Sequence, residues 1–87
     1  MDYTDYFLDK VNRFAIGKLN DENKYYVAIP VSNMVVDYME YYEINKEMLD
    51  SFLGEPAKAL SFVERCRNRE MDELLIFKPG RDRGEPA

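Results

Sequence analysis

Tyr25-Tyr26-Val27-Ala28-Ile29-Pro30-Val31, then Ser32-Asn33, then Met34-Val35-Val36-Asp37-Tyr38-Met39-Glu40-Tyr41-Tyr42-Glu43-Ile44, is the densest β-branched and aromatic run in this 87-residue chain. Its first half alternates, with Tyr25, Val27, Ile29 and Val31 on one strand face and Tyr26, Ala28 and Pro30 on the other. Pro30 has no N–H for a ladder, which places that end of the strand at an edge or a terminus. Ser32-Asn33 then turns the chain. The second half reads two ways. Val35, Tyr38, Met39 and Tyr42 match helical spacing, whereas Val36, Tyr38, Tyr42 and Ile44 match a strand interrupted by Glu40. The Val-Val and Tyr-Tyr pairs favour the strand. Asp37, Met39, Tyr41 and Glu43 then share its other face, half acidic and half aromatic.

Upstream, Phe14 and Ile16 fall on one side of a loose strand over Arg13–Leu19, and Gly17 suits a bulge or a close backbone approach. The polar cluster Asn20-Asp21-Glu22-Asn23 predicts a hairpin loop joining that strand to Tyr25. Tyr3, Phe7 and Val11 recur at a spacing of four, predicting a short N-terminal helix, with an irregular lead-in as the alternative.

Downstream the period changes. Asn45 is a good N-cap, Met48, Leu49, Phe52 and Leu53 form an apolar stripe, and Gly54 closes the helix. Pro56 suits the start of a second helix, in which Ala59, Phe62, Val63 and Cys66 form a core-facing stripe. Cys66 is therefore expected to be a small core residue. Leu74-Leu75-Ile76-Phe77 predicts a last strand over Glu73–Lys78, ended by Pro79-Gly80. The fold class that results is α+β: an antiparallel β-meander, a helical pair packed on one face and a final returning strand. Residues 1–78 form a single domain and residues 79–87 a polar C-terminal tail with no means of burying itself.

Net charge is −5, and it is unevenly placed. Twelve acids face six bases up to Glu64, and five face six from Arg65 onward. An acidic body disfavours phosphate backbones and favours cationic proteins. The basic set Arg65, Arg67, Arg69, Lys78, Arg81 and Arg83 is interleaved with acids, and the helix dipole accounts for the first three. A single cysteine excludes an internal disulfide and points to a cytoplasmic home, and no apolar run approaches the length of a membrane span.

The chain has no histidine, no Cys-x-x-Cys, no glycine-rich phosphate loop and no nucleophile elbow. Its paired carboxylates read as solvated acids, so no catalytic residue, metal ligand or cofactor is expected. What remains is a surface for protein binding. Asp37, Tyr38, Glu40, Tyr41, Tyr42 and Glu43 set carboxylates among phenol rings, with Asp2, Tyr3 and Tyr6 as a second group.

The second half of the chain resembles small immunity proteins of bacterial polymorphic toxin systems, including those paired with contact-dependent growth-inhibition toxins. The resemblance lies in Tyr41-Tyr42-Glu43-Ile44, Phe52-Leu53, the run Ala59 to Arg69, Asp72-Glu73-Leu74-Leu75-Ile76, and the run Lys78 to Pro86. Such proteins have unrelated folds, so the resemblance implies no architecture and no binding residues. It implies a role: binding one cognate toxin domain, a nuclease by the charge argument, and covering its basic cleft. The alternative is a structural or regulatory module that self-associates through its sheet edge.

Overall fold

The computed structural model describes residues 2–80 and 83–86. Four strands run in sequence order as an antiparallel meander: β1 (Tyr3–Asp9), β2 (Phe14–Leu19), β3 (Lys24–Ser32) and β4 (Asp37–Ile44). Two helices follow, α1 (Lys46–Gly54) and α2 (Leu60–Arg67), the second entered through a 3-10 turn at Pro56–Ala59. A 3-10 turn at Asp72–Leu74 and a two-residue strand, β5 (Glu85–Pro86), complete the chain. The α+β class, the meander and the helical pair are as the sequence predicts.

Register decides which side chains meet. Val27 lies opposite Tyr42, Ile29 opposite Glu40 and Val31 opposite Tyr38, while Ile16 lies opposite Val27. Their shared face carries Phe14, Ile16, Val27, Ile29, Val31, Tyr42 and Ile44, and onto it pack Leu49 and Phe52 of α1 and Phe62, Val63 and Cys66 of α2. Each such aliphatic or aromatic side chain, fully buried, contributes about 1.5–3 kcal/mol. Asn45 caps α1 by accepting from the Met48 N–H at 2.8 Å. Arg67 ties α2 to the first hairpin, its guanidinium donating to the carbonyls of Asn12 and Arg13.

The opposite face is also covered, but thinly. Ala15, Leu19, Tyr26, Ala28 and Tyr41 are buried there against Ile76. Tyr26 and Tyr41 meet edge to face at 4.9 Å, and Phe77 stands edge-on to Tyr41 at 6.0 Å. Gly17 makes this layer fit. A Cβ on it would overlap the Thr4 carbonyl oxygen and would lie 2.6 Å from the Tyr26 hydroxyl.

Three expectations need correcting. Residues 3–9 form a strand, not a helix: a bulge at Tyr6 shifts register between Asp5 and Phe7, turning Phe7 toward Ile16 and the core. Val11 lies in the following turn, where the Asp9 carboxylate accepts from the Val11 and Asn12 N–H groups.

Residues 73–78 do not form a strand. Leu75 makes only an isolated bridge to Tyr42, and the Ile76 N–H donates to the Tyr41 carbonyl at 2.9 Å. The apolar run wraps the outer edge of β4 and divides between the two layers, Leu75 into the helix-side core and Ile76 onto the far face.

The tail does not float. Glu85 and Pro86 pair with Ser32 and Val31, on the side of β3 that β2 leaves unpaired beyond Ala28. The returning strand is this one, and Gly84 beside it is buried.

Candidate interaction surface

The six residues set apart on β4 do not share an accessible surface. Alternation sends Tyr38, Glu40 and Tyr42 to the helix side and Asp37, Tyr41 and Glu43 to the far side. Tyr42 is fully buried, and Tyr41 and Glu40 are nearly so. Tyr38 is half-buried and its hydroxyl accepts from the Gly84 N–H at 2.8 Å. Only Asp37 and Glu43 face solvent, at opposite ends of β4, roughly 20 Å apart along the strand. The physical reason is that β4 is covered on both faces, so its phenol rings serve as core and not as display.

Glu40 is the buried polar residue of this core, and it is fully partnered. Its Oε1 accepts from the Tyr42 hydroxyl at 2.8 Å and from Arg83 Nη2 at 3.0 Å, and its Oε2 accepts from Arg83 Nε at 2.7 Å. The same guanidinium makes a second bidentate pair with Asp72, at 2.7 and 2.9 Å. Arg83 holds the Asp72 carboxyl below the usual aspartate range, and the two carboxylates raise Arg83 further above its already high value. Burial first, and Glu40 beside it second, push the Tyr42 hydroxyl well above the ordinary phenol range. In sequence Arg83 reads as a solvated tail charge. The only hint of its role was the lone acid in the apolar rhythm of β4. Arg81, counted with it, lies outside the described residues.

The exposed tyrosines are elsewhere. Tyr3 and Tyr6 on β1 are each about half exposed, at 50% and 47%, and Leu8 follows them at 55%. Asp2, Asp5 and Asp9 are interleaved with them. Asp5 accepts from the buried Tyr26 hydroxyl, which fixes it on the far face of the strand. β1 is the outermost strand of the meander, and its free edge carries no ladder partner among the described residues. The other edge, at β4, is capped by Leu75 and Ile76.

The meander's topology adds to this surface. The β1–β2 turn and the β3–β4 turn lie at the same end of the sheet, and each exposes apolar side chains, one in the first and three in the second. Val11 projects from the first, and Met34, Val35 and Val36 from the second. The second tip is held by Asn33, whose Oδ1 accepts from the Val35 and Val36 N–H groups at 3.1 and 2.9 Å.

Among the described residues, no group of three or more His, Cys, Asp or Glu is arranged to hold a metal ion, and no helix is long and apolar enough to cross a membrane. Cys66 is fully buried, and burial pushes its thiol up to about 12, against the smaller lowering by Arg67. Ellman-type labelling of the native chain is therefore expected to run at least about a hundredfold slower than in denaturant, because only opened molecules expose the thiol. Equal rates would show the core around Cys66 to be open.

Compared with known proteins, the chain matches no family model, no curated protein sequence and no solved structure.

Proposed function

We propose that this chain is a small acidic protein-binding domain whose role is to bind and neutralise a cognate bacterial toxin. The observation that carries the reading is the outer strand β1, a sheet edge with no ladder partner among the described residues, along which Tyr3, Asp5 and Leu8 share the far face and Tyr6, at the bulge, lies on the helix side. Tyrosine supplies contact area at low entropic cost, and the acids supply complementarity to a cationic cleft. With a net charge of −5, the whole domain is steered toward such a cleft before contact. The toxin role itself rests on the resemblance of residues 41–86 to immunity proteins, and a phosphate-binding nuclease is the class of toxin whose cleft has the matching charge.

The same free edge serves the second reading, two copies joined β1 to β1. An antiparallel pair of that kind brings Asp2, Asp5 and Asp9 of one copy toward those of the other, and the Tyr6 bulge interrupts the ladder. Both features favour a foreign, basic partner over a second copy.

The reading predicts a large secreted protein encoded immediately upstream, and the test is co-expression with that protein's C-terminal domain. Expected results are rescue of growth and a one-to-one complex. Replacing Tyr3 and Tyr6 together by serine is expected to weaken that complex by about 30-fold or more, roughly 2 kcal/mol. Reversing Asp37 and Glu43 to lysine is expected to slow association at low salt. No rescue by the wild-type chain would sink the toxin reading. Rescue with an unchanged Tyr3/Tyr6 variant would remove only β1 from it, and a stable wild-type dimer burying β1 would favour self-association.

A further inference from the structure

The tail residues Arg83 and Gly84 are held in the way a receptor holds a peptide. Arg83 is forked between two carboxylates, one of them the buried Glu40. The Gly84 N–H donates to the Tyr38 hydroxyl at 2.8 Å, and its carbonyl accepts from Arg69 Nη2 at 2.7 Å. The next two residues add to β3 as an antiparallel strand. Each position selects its occupant. Two carboxylates, each engaged through both oxygens, suit a guanidinium and not an ammonium. At Gly84 a Cβ would overlap the Ser32 carbonyl and lie 2.8 Å from the Asn33 nitrogen, so any other residue is excluded by backbone.

The receptor half belongs to the folded body and is held ready. Glu40 is fixed by the Tyr42 hydroxyl, and Asp72 stands in its own 3-10 turn. Arg69 follows α2 with φ of 61°, a left-handed conformation usually left to glycine, in a motif where the Arg69 N–H donates to Cys66 and the Glu70 N–H to Arg65. That conformation costs about 1 kcal/mol for a residue with a Cβ. Here it is given to an arginine whose side chain clamps Gly84. By contrast the ligand half is slight, a β5 of two residues.

We infer that Glu40, Asp72, Tyr38, Arg69 and the open end of β3 form a recognition site for an extended Arg-Gly peptide, filled in cis by the chain's own tail. A partner protein presenting an Arg-Gly segment in extended form displaces that tail by strand addition. The inference stands on the tail contacts alone and does not depend on the toxin reading.

The test uses the full chain carrying Gly84→Ala, which disables the resident ligand and leaves the receptor residues untouched. The probe is a labelled synthetic peptide covering residues 79–87. Binding to the variant is expected to be at least about tenfold tighter than to the wild type, where the tail competes. A peptide with alanine in place of Arg83 or of Gly84 is expected to bind at least about tenfold more weakly than the native one. A folded variant that binds no better than wild type, or that takes the altered peptides equally well, overturns the inference. Should the variant melt near room temperature, the readout becomes its thermal midpoint. A rise with the native peptide and none with the altered peptides upholds the site, and no rise with either overturns it.

Discussion

Arg83→Ala is expected to destabilise the fold by about 3 kcal/mol, an effect out of proportion to a residue in a polar segment that follows the last helix. The side chain is only 14% exposed, and its partner Glu40 only 6%. Removing the guanidinium leaves a carboxylate in the core with a single neutral donor, the Tyr42 hydroxyl. Breaking one side of a buried pair costs about 3–5 kcal/mol, chiefly through the charge left behind. The low end applies because the Asp72 arm of the fork is 41% exposed and screened by solvent. Two controls separate this cause from a generic loss of tail packing. Adding Glu40→Gln to Arg83→Ala is expected to recover about half of the loss, since the stranded charge disappears. Arg83→Lys is expected to fall between, because an ammonium cannot span both carboxylates. Additive costs for Arg83→Ala and Glu40→Gln in chemical denaturation would refute the coupling.

The acid side of the stability curve checks the same contact. Arg83 lowers the folded-state value of Asp72. A depressed carboxylate contributes stability above its ordinary range, near pH 4, and loses it as pH falls through the lower folded value. The wild type is therefore expected to lose stability below about pH 4 more steeply than Arg83→Ala, and the two curves to converge in acid. Parallel curves would remove the Asp72 pairing from the account.

These contacts show where sequence reading stops. Alternation over Tyr25–Val31, the Asn20–Asn23 loop, the Asn45 cap and the Phe62/Val63/Cys66 stripe are local signals, and each corresponds to an element or a buried position. What is not local does not show in the sequence. The acid–phenol face of β4 looked like display because nothing nearby in sequence reveals that residues 75–77 return to cover it. The spacing of Tyr3, Phe7 and Val11 resembles a helix because one extra residue at Tyr6 changes the phase of a strand. Arg-Asp-Arg-Gly looked solvated because the acids that receive Arg83 lie 43 and 11 residues away. A buried carboxylate asks for a cation, but the chain offers twelve. Only the three-dimensional path of the tail selects one. The candidate interaction surface shows the same limit: β1 carries acid beside tyrosine in the open because it is the outermost strand of the meander, a position that no local signal in Tyr3–Asp9 reveals.

Gly17→Ala is expected to cost about 3 kcal/mol and to loosen β1 selectively. Gly17 pairs with Asp5 on one side and Tyr26 on the other, so β1, β2 and β3 meet at this one residue. A methyl group there overlaps the Thr4 carbonyl and lies 2.6 and 2.8 Å from Oη and Cζ of Tyr26. The tyrosine cannot step aside freely: its ring is fully buried against Tyr41, and its hydroxyl donates to Asp5. Inserting a methyl into a packed site costs about 1–3 kcal/mol, and the upper end applies where the obstacle is backbone. Tyr26→Phe in the same chain identifies that obstacle. Removing the hydroxyl relieves the 2.6 Å contact but neither the one with the ring carbon Cζ nor the one with Thr4, so the double variant is expected to recover little of the loss. Full recovery would place the clash in the phenol instead. Amide exchange is the local readout. Protection is expected to fall across β1 and the β2 amides that face it, while α1, α2 and the β3–β4 ladder keep theirs, since β1 is the outermost strand and its free edge carries no ladder partner among the described residues. Because β1 also carries Tyr3 and Tyr6, the same variant is expected to lose partner binding under conditions in which its helical core remains folded. A glycine is therefore what lets β1 lie close against β2 and the Tyr26 ring.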